Sequence, residues 1–188
     1  MMNQLSTTKN MRGIGILEVL IALVVVSIGV LGLAGTQLNV MRVAKGSNNR
    51  SQAVLYAQTI IEQMRANPAA VAGMTYEGLD STALDCSALP NPYCNAYPSG
   101  PTTTPVCSTQ IEKTQNSFYS VACGQWDGAD AVNGIADNLP NGAITVQCDD
   151  APCTDTSSYT ISVTWSETEV TDGADVEATK QVTMRVLP

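Results

Sequence analysis

The sequence predicts an α+β chain: a long N-terminal helix followed by a loop-rich, disulfide-bonded head that ends in an antiparallel sheet. Three observations carry this. An apolar run at the N-terminus continues, without proline before Pro68, into a segment with apolar side chains at helical intervals. The last 45 or so residues hold three stretches of strict apolar/polar alternation. All six cysteines fall between Cys86 and Cys153.

The first element begins with the apolar run. From Ile14 to Ala34 there are 21 residues with one charge, Glu18, and about 20 apolar residues cross a bilayer core as a helix. The preceding residues 1–13 carry Lys9 and Arg12 and no acid, like the cytoplasmic end of an export signal. Arg42, Lys45 and Arg50 follow the span and blur the charge asymmetry. Three origins fit the run. It is a signal peptide released after Ala34, where Gly32-Leu33-Ala34 meets the small-x-small rule, or a plain signal anchor, or a membrane helix cut between Gly13 and Ile14 and retained. The run exceeds the roughly 7–15 residues usual for a signal peptide core.

Only the third origin explains Glu18. A carboxylate in hydrocarbon costs on the order of 2–4 kcal/mol, so it calls for a partner. A cut after Gly13 leaves a positive amine on Ile14 and sets Glu18 one helical turn inside, where the helix dipole favours an anion. Paired with the terminus of a neighbouring copy at about 4 Å and an effective dielectric near 20, it gains roughly 4 kcal/mol. The bland alternative is a side chain that snorkels to the membrane interface.

Arg12-Gly13, four residues, and then Glu18-Val19-Leu20-Ile21-Ala22-Leu23 resemble the type IV prepilin leader and methylation motif. Val25 to Gln37, with Arg50-Ser51-Gln52-Ala53 and Glu62 to Pro68, resemble the PilV family of minor pilins, the type IV pilus modification proteins. The likeness is strong over residues 12 to about 70 and weak beyond. It implies a pilin fold, cleavage at Gly13–Ile14 by a prepilin peptidase, N-methylation of Ile14 and an assembly role for Glu18. It also implies other major and minor pilins and the inner-membrane assembly machinery as partners, with the head at or near a pilus tip. The family usually has an aromatic first mature residue, where this chain has Ile14.

The helix extends past the span. Val54, Ala57, Ile61 and Met64 fall on one predicted stripe, and Leu38 and Met41 start a similar one earlier. Residues 14–66 thus form one helical unit, 14–34 in the membrane, regular from about Leu17 to Ala66 and roughly 75 Å long at 1.5 Å per residue. Its outer half must pack on the head. Gly29, Gly32 and Gly35 suit either local melting or close helix packing. Gly46-Ser47-Asn48-Asn49 is a second soft spot.

The head, residues 67–188, reads as loop over 68–140. Pro90, Pro92, Pro98, Pro101 and Pro105, Ser99-Gly100 and Thr102 to Thr104 interrupt any long element. A short strand is expected at Phe118 to Cys123, where Tyr119, Val121 and Cys123 share a face. Three further strands close the chain: Ile144, Val146 and Cys148; Tyr159, Ile161, Val163 and Trp165; Val182, Met184 and Val186. Thr171-Asp172-Gly173 supplies the turn between the last two.

The even cysteine count reads as three disulfides formed in an oxidising compartment. With no histidine and no Cys-x-x-Cys, the zinc spacing is missing. Six cysteines allow about 15 pairings, and pairing neighbours would join Cys86 to Cys94, Cys107 to Cys123 and Cys148 to Cys153. Asp-Gly-Ala-Asp at 127–130 and 172–175, with Asp149, Asp150 and Asp155, reads as turns rather than a calcium site, because the twelve-residue calcium loop is absent.

Charge and chemistry exclude other classes. From Ala66 onward fifteen acids face Lys113, Lys180 and Arg185, a balance of −12. That field repels a phosphate backbone, so no direct nucleic-acid partner is expected. The absence of histidine removes Ser-His and Cys-His nucleophiles, and Asp149-Asp150 looks like a solvated tip, so no enzyme and no cofactor are expected. The expected function is a minor pilin: made in the bacterial inner membrane as a single-pass protein, then built into the fibre to serve assembly, motility or adhesion. The alternatives are a minor pseudopilin of a type II secretion system, a soluble extracytoplasmic binding protein released after Ala34, and a signal-anchored periplasmic domain.

Overall fold

The computed structural model describes residues 15–92, 94, 107–126, 128–171 and 174–188. The leader, Gly13 and Ile14 lie outside these, as do Tyr93, Ser99-Gly100, Thr102 to Thr104, Asp127, Asp172 and Gly173. The chain divides into two compact units, residues 1–45 and 46–188. Helix α1, Ile16–Ala66, runs through the division.

In the first unit α1 continues without a break through Gly29, Gly32 and Gly35, and a Cβ added at any of the three would meet nothing within 4 Å. The hydroxyls in this stretch are turned back on the helix. Ser27 donates to the Leu23 carbonyl at 2.7 Å and Thr36 to the Leu33 carbonyl at 2.8 Å. A helix in hydrocarbon must satisfy its polar groups internally, and these two do so.

The second unit has the pilin-like α+β plan, the outer part of α1 packed on a small antiparallel sheet. The buried face of α1 is Ala53, Ala57, Ile60 and Met64, each fully buried, with Asn49 behind them. This corrects the predicted stripe: Val54 and Ile61 are half-buried flanks rather than its centre. The observed spacing of four, three and four residues follows 3.6 residues per turn more closely than the predicted three, four and three. Asn67-Pro68 then ends α1 and caps α2, Pro68–Ala72, whose Ala70 amide donates to the Asn67 side chain at 3.2 Å.

The sheet has the order β1-β4-β5-β6, all antiparallel: β1 Leu79–Asp80, β4 Ala143–Cys148, β5 Tyr159–Thr171 and β6 Ala174–Val186. Alternation places Ile144 and Val146 of β4 and Tyr159, Ile161, Val163 and Trp165 of β5 in the core. From β6, Val182 and Met184 are half-buried and Val186 is buried.

The segment expected to be loop holds most of the surprises. Helix α3, Gln110–Ala122, occupies the place of the strand expected at Phe118 to Cys123. A capping box starts it. The Glu112 amide donates to Thr109 Oγ1 at 3.2 Å, and Thr109 N–H donates to Glu112 Oε2 at 3.0 Å. Its buried Thr114, Phe118, Val121 and Ala122 follow helical spacing, and the apparent alternation of 119, 121 and 123 was coincidental. A two-stranded sheet follows, β2 Gly124–Trp126 against β3 Ala131–Asn133, and then a short helix α4, Ile135–Asn138.

Three disulfides tie the head: Cys86–Cys123, Cys94–Cys107 and Cys148–Cys153. Neighbour pairing therefore fails for Cys86, Cys94, Cys107 and Cys123, and α3 is the reason. Cys107 and Cys123 flank a 13-residue helix that is about 20 Å long, and bridged Cα atoms lie within about 7 Å. Each end of α3 finds a different partner. At the far end Tyr119 donates to the Ala88 carbonyl at 2.9 Å, beside Cys86. At the near end the buried Asn116 accepts from the Cys94 amide at 2.9 Å and donates to the Pro92 carbonyl at 2.8 Å.

Candidate assembly surface

The N-terminal part of α1 is the most unusual surface of the molecule. Every described side chain from Ile16 to Leu33 is exposed, Ile16 by 83% and Leu31 by 73%. By length and composition this helix is long and apolar enough to cross a membrane. An isolated helix this apolar has to be covered by lipid or by other helices.

Glu18 lies in the first turn of α1. Its amide donates to the Gly15 carbonyl at 2.9 Å, so the chain is already helical there. Its carboxylate has no hydrogen bond or ion pair with any of the described residues, while the hydroxyls of Ser27 and Thr36, farther along the helix, are satisfied by their own helix. Glu18 is thus a charged acceptor presented on an apolar surface. Gly13 and Ile14, the other two residues singled out by the sequence, lie outside the described residues.

The head presents a different surface. Two of its three cations are already engaged, Lys180 by Glu169 and Arg185 by Asp149 at 2.6 Å. The acids therefore dominate its field. Asp149 is exposed, as the sequence suggested, but its carboxylate is engaged rather than free. Its carboxylate accepts from Ser158 Oγ at 2.6 Å, from Thr160 Oγ1 and from Arg185 Nε, so it fastens the end of β4 to β5 and β6. The Ser158 and Thr160 hydroxyls, with Arg185, hold its carboxyl below the usual carboxylate range. Backbone N–H groups of Thr109 and Ser108 do the same for Glu112. The Asp149 clamp went unread in the sequence; its only signal was Arg185, the lone arginine of the last strand. Among the described residues no group of three or more acids and cysteines is arranged to hold a metal ion.

Comparison with known proteins gives one finding. Residues 35–116 match the model of the Tt1218-like family, described as type IV pilin Tt1218. The matched segment takes in the helix from Gly35 onward, α2, β1 and the first half of α3, and stops before the strands of the main sheet. It supports a type IV pilin. No curated protein and no solved structure gives a match.

Proposed function

We propose that this chain is a minor pilin of a type IV pilus, held in the bacterial inner membrane as a single-pass protein and then packed into the fibre through its N-terminal helix. The observation that carries the reading is a fully exposed apolar helix with one lone carboxylate in its first turn, continuous with a segment that matches a type IV pilin family. In this reading residues 1–13 are a leader removed at Gly13–Ile14 by a prepilin peptidase, and Ile14 is N-methylated. Residues 14–34 span the membrane, and residues 67–188 form the exported head.

The chemistry of assembly follows. Inside a bundle of such helices water is scarce, and a free carboxylate is costly unless paired. The α-amino group of a neighbouring pilin is a cation at the matching depth. Pairing with it sets the stagger between subunits, while the apolar side chains supply the bulk of the contact. The acidic head, two of its three cations already in ion pairs, remains soluble outside the membrane and suits packing against a more basic neighbour rather than a nucleic acid. PilV-like placement puts the head at or near the tip, where it contributes to priming of assembly and to pilus-dependent motility or adhesion.

The test compares the full chain with its Glu18→Ala variant in cells, with both membrane and sheared-fibre fractions quantified. The reading predicts equal membrane levels, cleavage in both, and at least a tenfold drop of the variant in the fibre fraction. Equal incorporation of the two would overturn the pairing role. Absence of even the unsubstituted chain from fibres would overturn the pilin role itself.

A further inference from the structure

Strands β5 and β6 pair over 13 residues each, from Tyr159 opposite Val186 to Thr171 opposite Ala174. Strand β4 accompanies β5 only as far as Thr164, opposite Ala143. From Trp165 onward the hairpin is a two-stranded arm. Its root is fixed: the Ser166 amide donates to the Pro140 carbonyl at 2.8 Å, and Asn141 Nδ2 donates to Ser166 Oγ at 3.2 Å and to Glu177 Oε1 at 3.0 Å. Farther out Lys180 of β6 is bonded to Glu169 of β5.

The arm comes close to α1 at Gly46. Trp165 is buried in the same core cluster as Ala53, and its indole N–H donates to Glu167 Oε1 at 2.7 Å. That bond aims the Glu167 carboxylate at Gly46, where a Cβ would sit 3.2 Å from Oε2 and 3.5 Å from Oε1. A side chain at position 46 would crowd the carboxylate, which would have to give by a few tenths of an ångström. Gly46 also opens a weak helical sequence at the start of the second unit, Gly46-Ser47-Asn48-Asn49, four residues that all disfavour a helix interior relative to alanine. Yet this turn is helical, and Asn49 is buried.

We propose that the β5–β6 arm is a latch, with Glu167 aimed by Trp165 as its contact, that holds Gly46–Asn49 in the helix. When the arm is displaced this turn unwinds and becomes a hinge at the start of the head's helix. The hinge residues and the latch lie at opposite ends of the sequence, so a partner that pulls on the arm acts directly on α1. This inference does not rest on the pilin reading.

The test is hydrogen exchange of the full chain in detergent micelles, read peptide by peptide. In Glu167→Ala, amides of residues 46–52 are expected to exchange at least tenfold faster, with 57–64 unchanged. Glu167→Gln keeps an acceptor for Trp165 and should behave as the unsubstituted chain. Gly46→Ala strengthens the helix and crowds the carboxylate, so the arm, residues 165–169, should exchange faster while 46–52 does not. Unchanged exchange at 46–52 in Glu167→Ala overturns the latch. If that variant instead loosens the whole head, Gly46→Ala decides: faster arm exchange supports the latch, and unchanged arm exchange overturns it.

Discussion

Asp149 shows how a single carboxylate joins three strands. It stands next to the Cys148–Cys153 bridge and gathers Ser158, Thr160 and Arg185. Because its folded carboxyl titrates below the ordinary value of about 3.9, the unfolded state binds the proton more readily. The stabilisation is therefore present above that ordinary value and is lost as pH falls through the lowered folded one. Asp149→Asn should flatten this part of the acid limb when melting temperature is followed down from neutral pH. An acid limb identical to that of the unsubstituted chain would remove the clamp from the account. Gly124 is a backbone counterpart. Its φ is +94°, and a Cβ there would lie 2.0 Å from the Val132 carbonyl oxygen. Gly124→Ala should cost about 2–4 kcal/mol of stability in a thermal melt, because both the conformation and the β2–β3 contact exclude a side chain. Neither residue announced itself in the sequence. Asp149 sat in an acid-rich stretch that reads as turn, and its partners came together only when β5 and β6 were paired.

At the scale of elements, legibility depended on periodicity. The closing strands were clear because a sheet with one wet face alternates at a period of two, and Tyr159, Ile161, Val163 and Trp165 are all buried as that pattern requires. The long helix was equally clear in extent; of its predicted buried face Ala57 and Met64 are buried, while Ala53 and Ile60 take the places expected for Val54 and Ile61. Helix α3 was hidden because its buried face includes Thr114 and Asn116, polar residues that satisfy themselves through loop backbone and side-chain bonds. Two expectations follow from the packing. Ile60→Ala should destabilise the head by about 2–5 kcal/mol, since a fully buried side chain leaves a cavity. Leu55→Ala on the same helix, 61% exposed, should stay within about 0.5 kcal/mol in the isolated chain. The disulfides give a ranking. Cys86–Cys123 closes a separation of 37 residues and Cys148–Cys153 one of 5, so loop entropy assigns about 4 kcal/mol to the first and about 2 to the second. Paired Cys→Ser variants, compared by denaturant melts, should fall in that order. The same α3 that was missed also explains why neighbour pairing failed, because it separates Cys107 from Cys123.

The whole molecule combines two kinds of surface that seldom share a chain. One is an apolar helix exposed along its length, with Glu18 at its start; the other is an acidic, cross-linked head whose cations are mostly engaged. The first was legible from composition alone, because hydrophobic run length is the strongest signal a sequence carries. In the proposed assembly the partner of Glu18 belongs to a neighbouring pilin, so a single chain does not contain it. The family match over residues 35–116 supports the pilin reading from a segment that begins just beyond the apolar run, and so supports it independently of Glu18. The central claim is that this chain is cut at Gly13–Ile14 and enters a fibre with its apolar helix intact. Intact-mass measurement of the chain recovered from sheared pili tests this most directly. The account predicts a mass beginning at N-methylated Ile14 with three disulfides closed. A chain beginning at Gly35 in the soluble extracytoplasmic fraction, and none in the fibres, would contradict it.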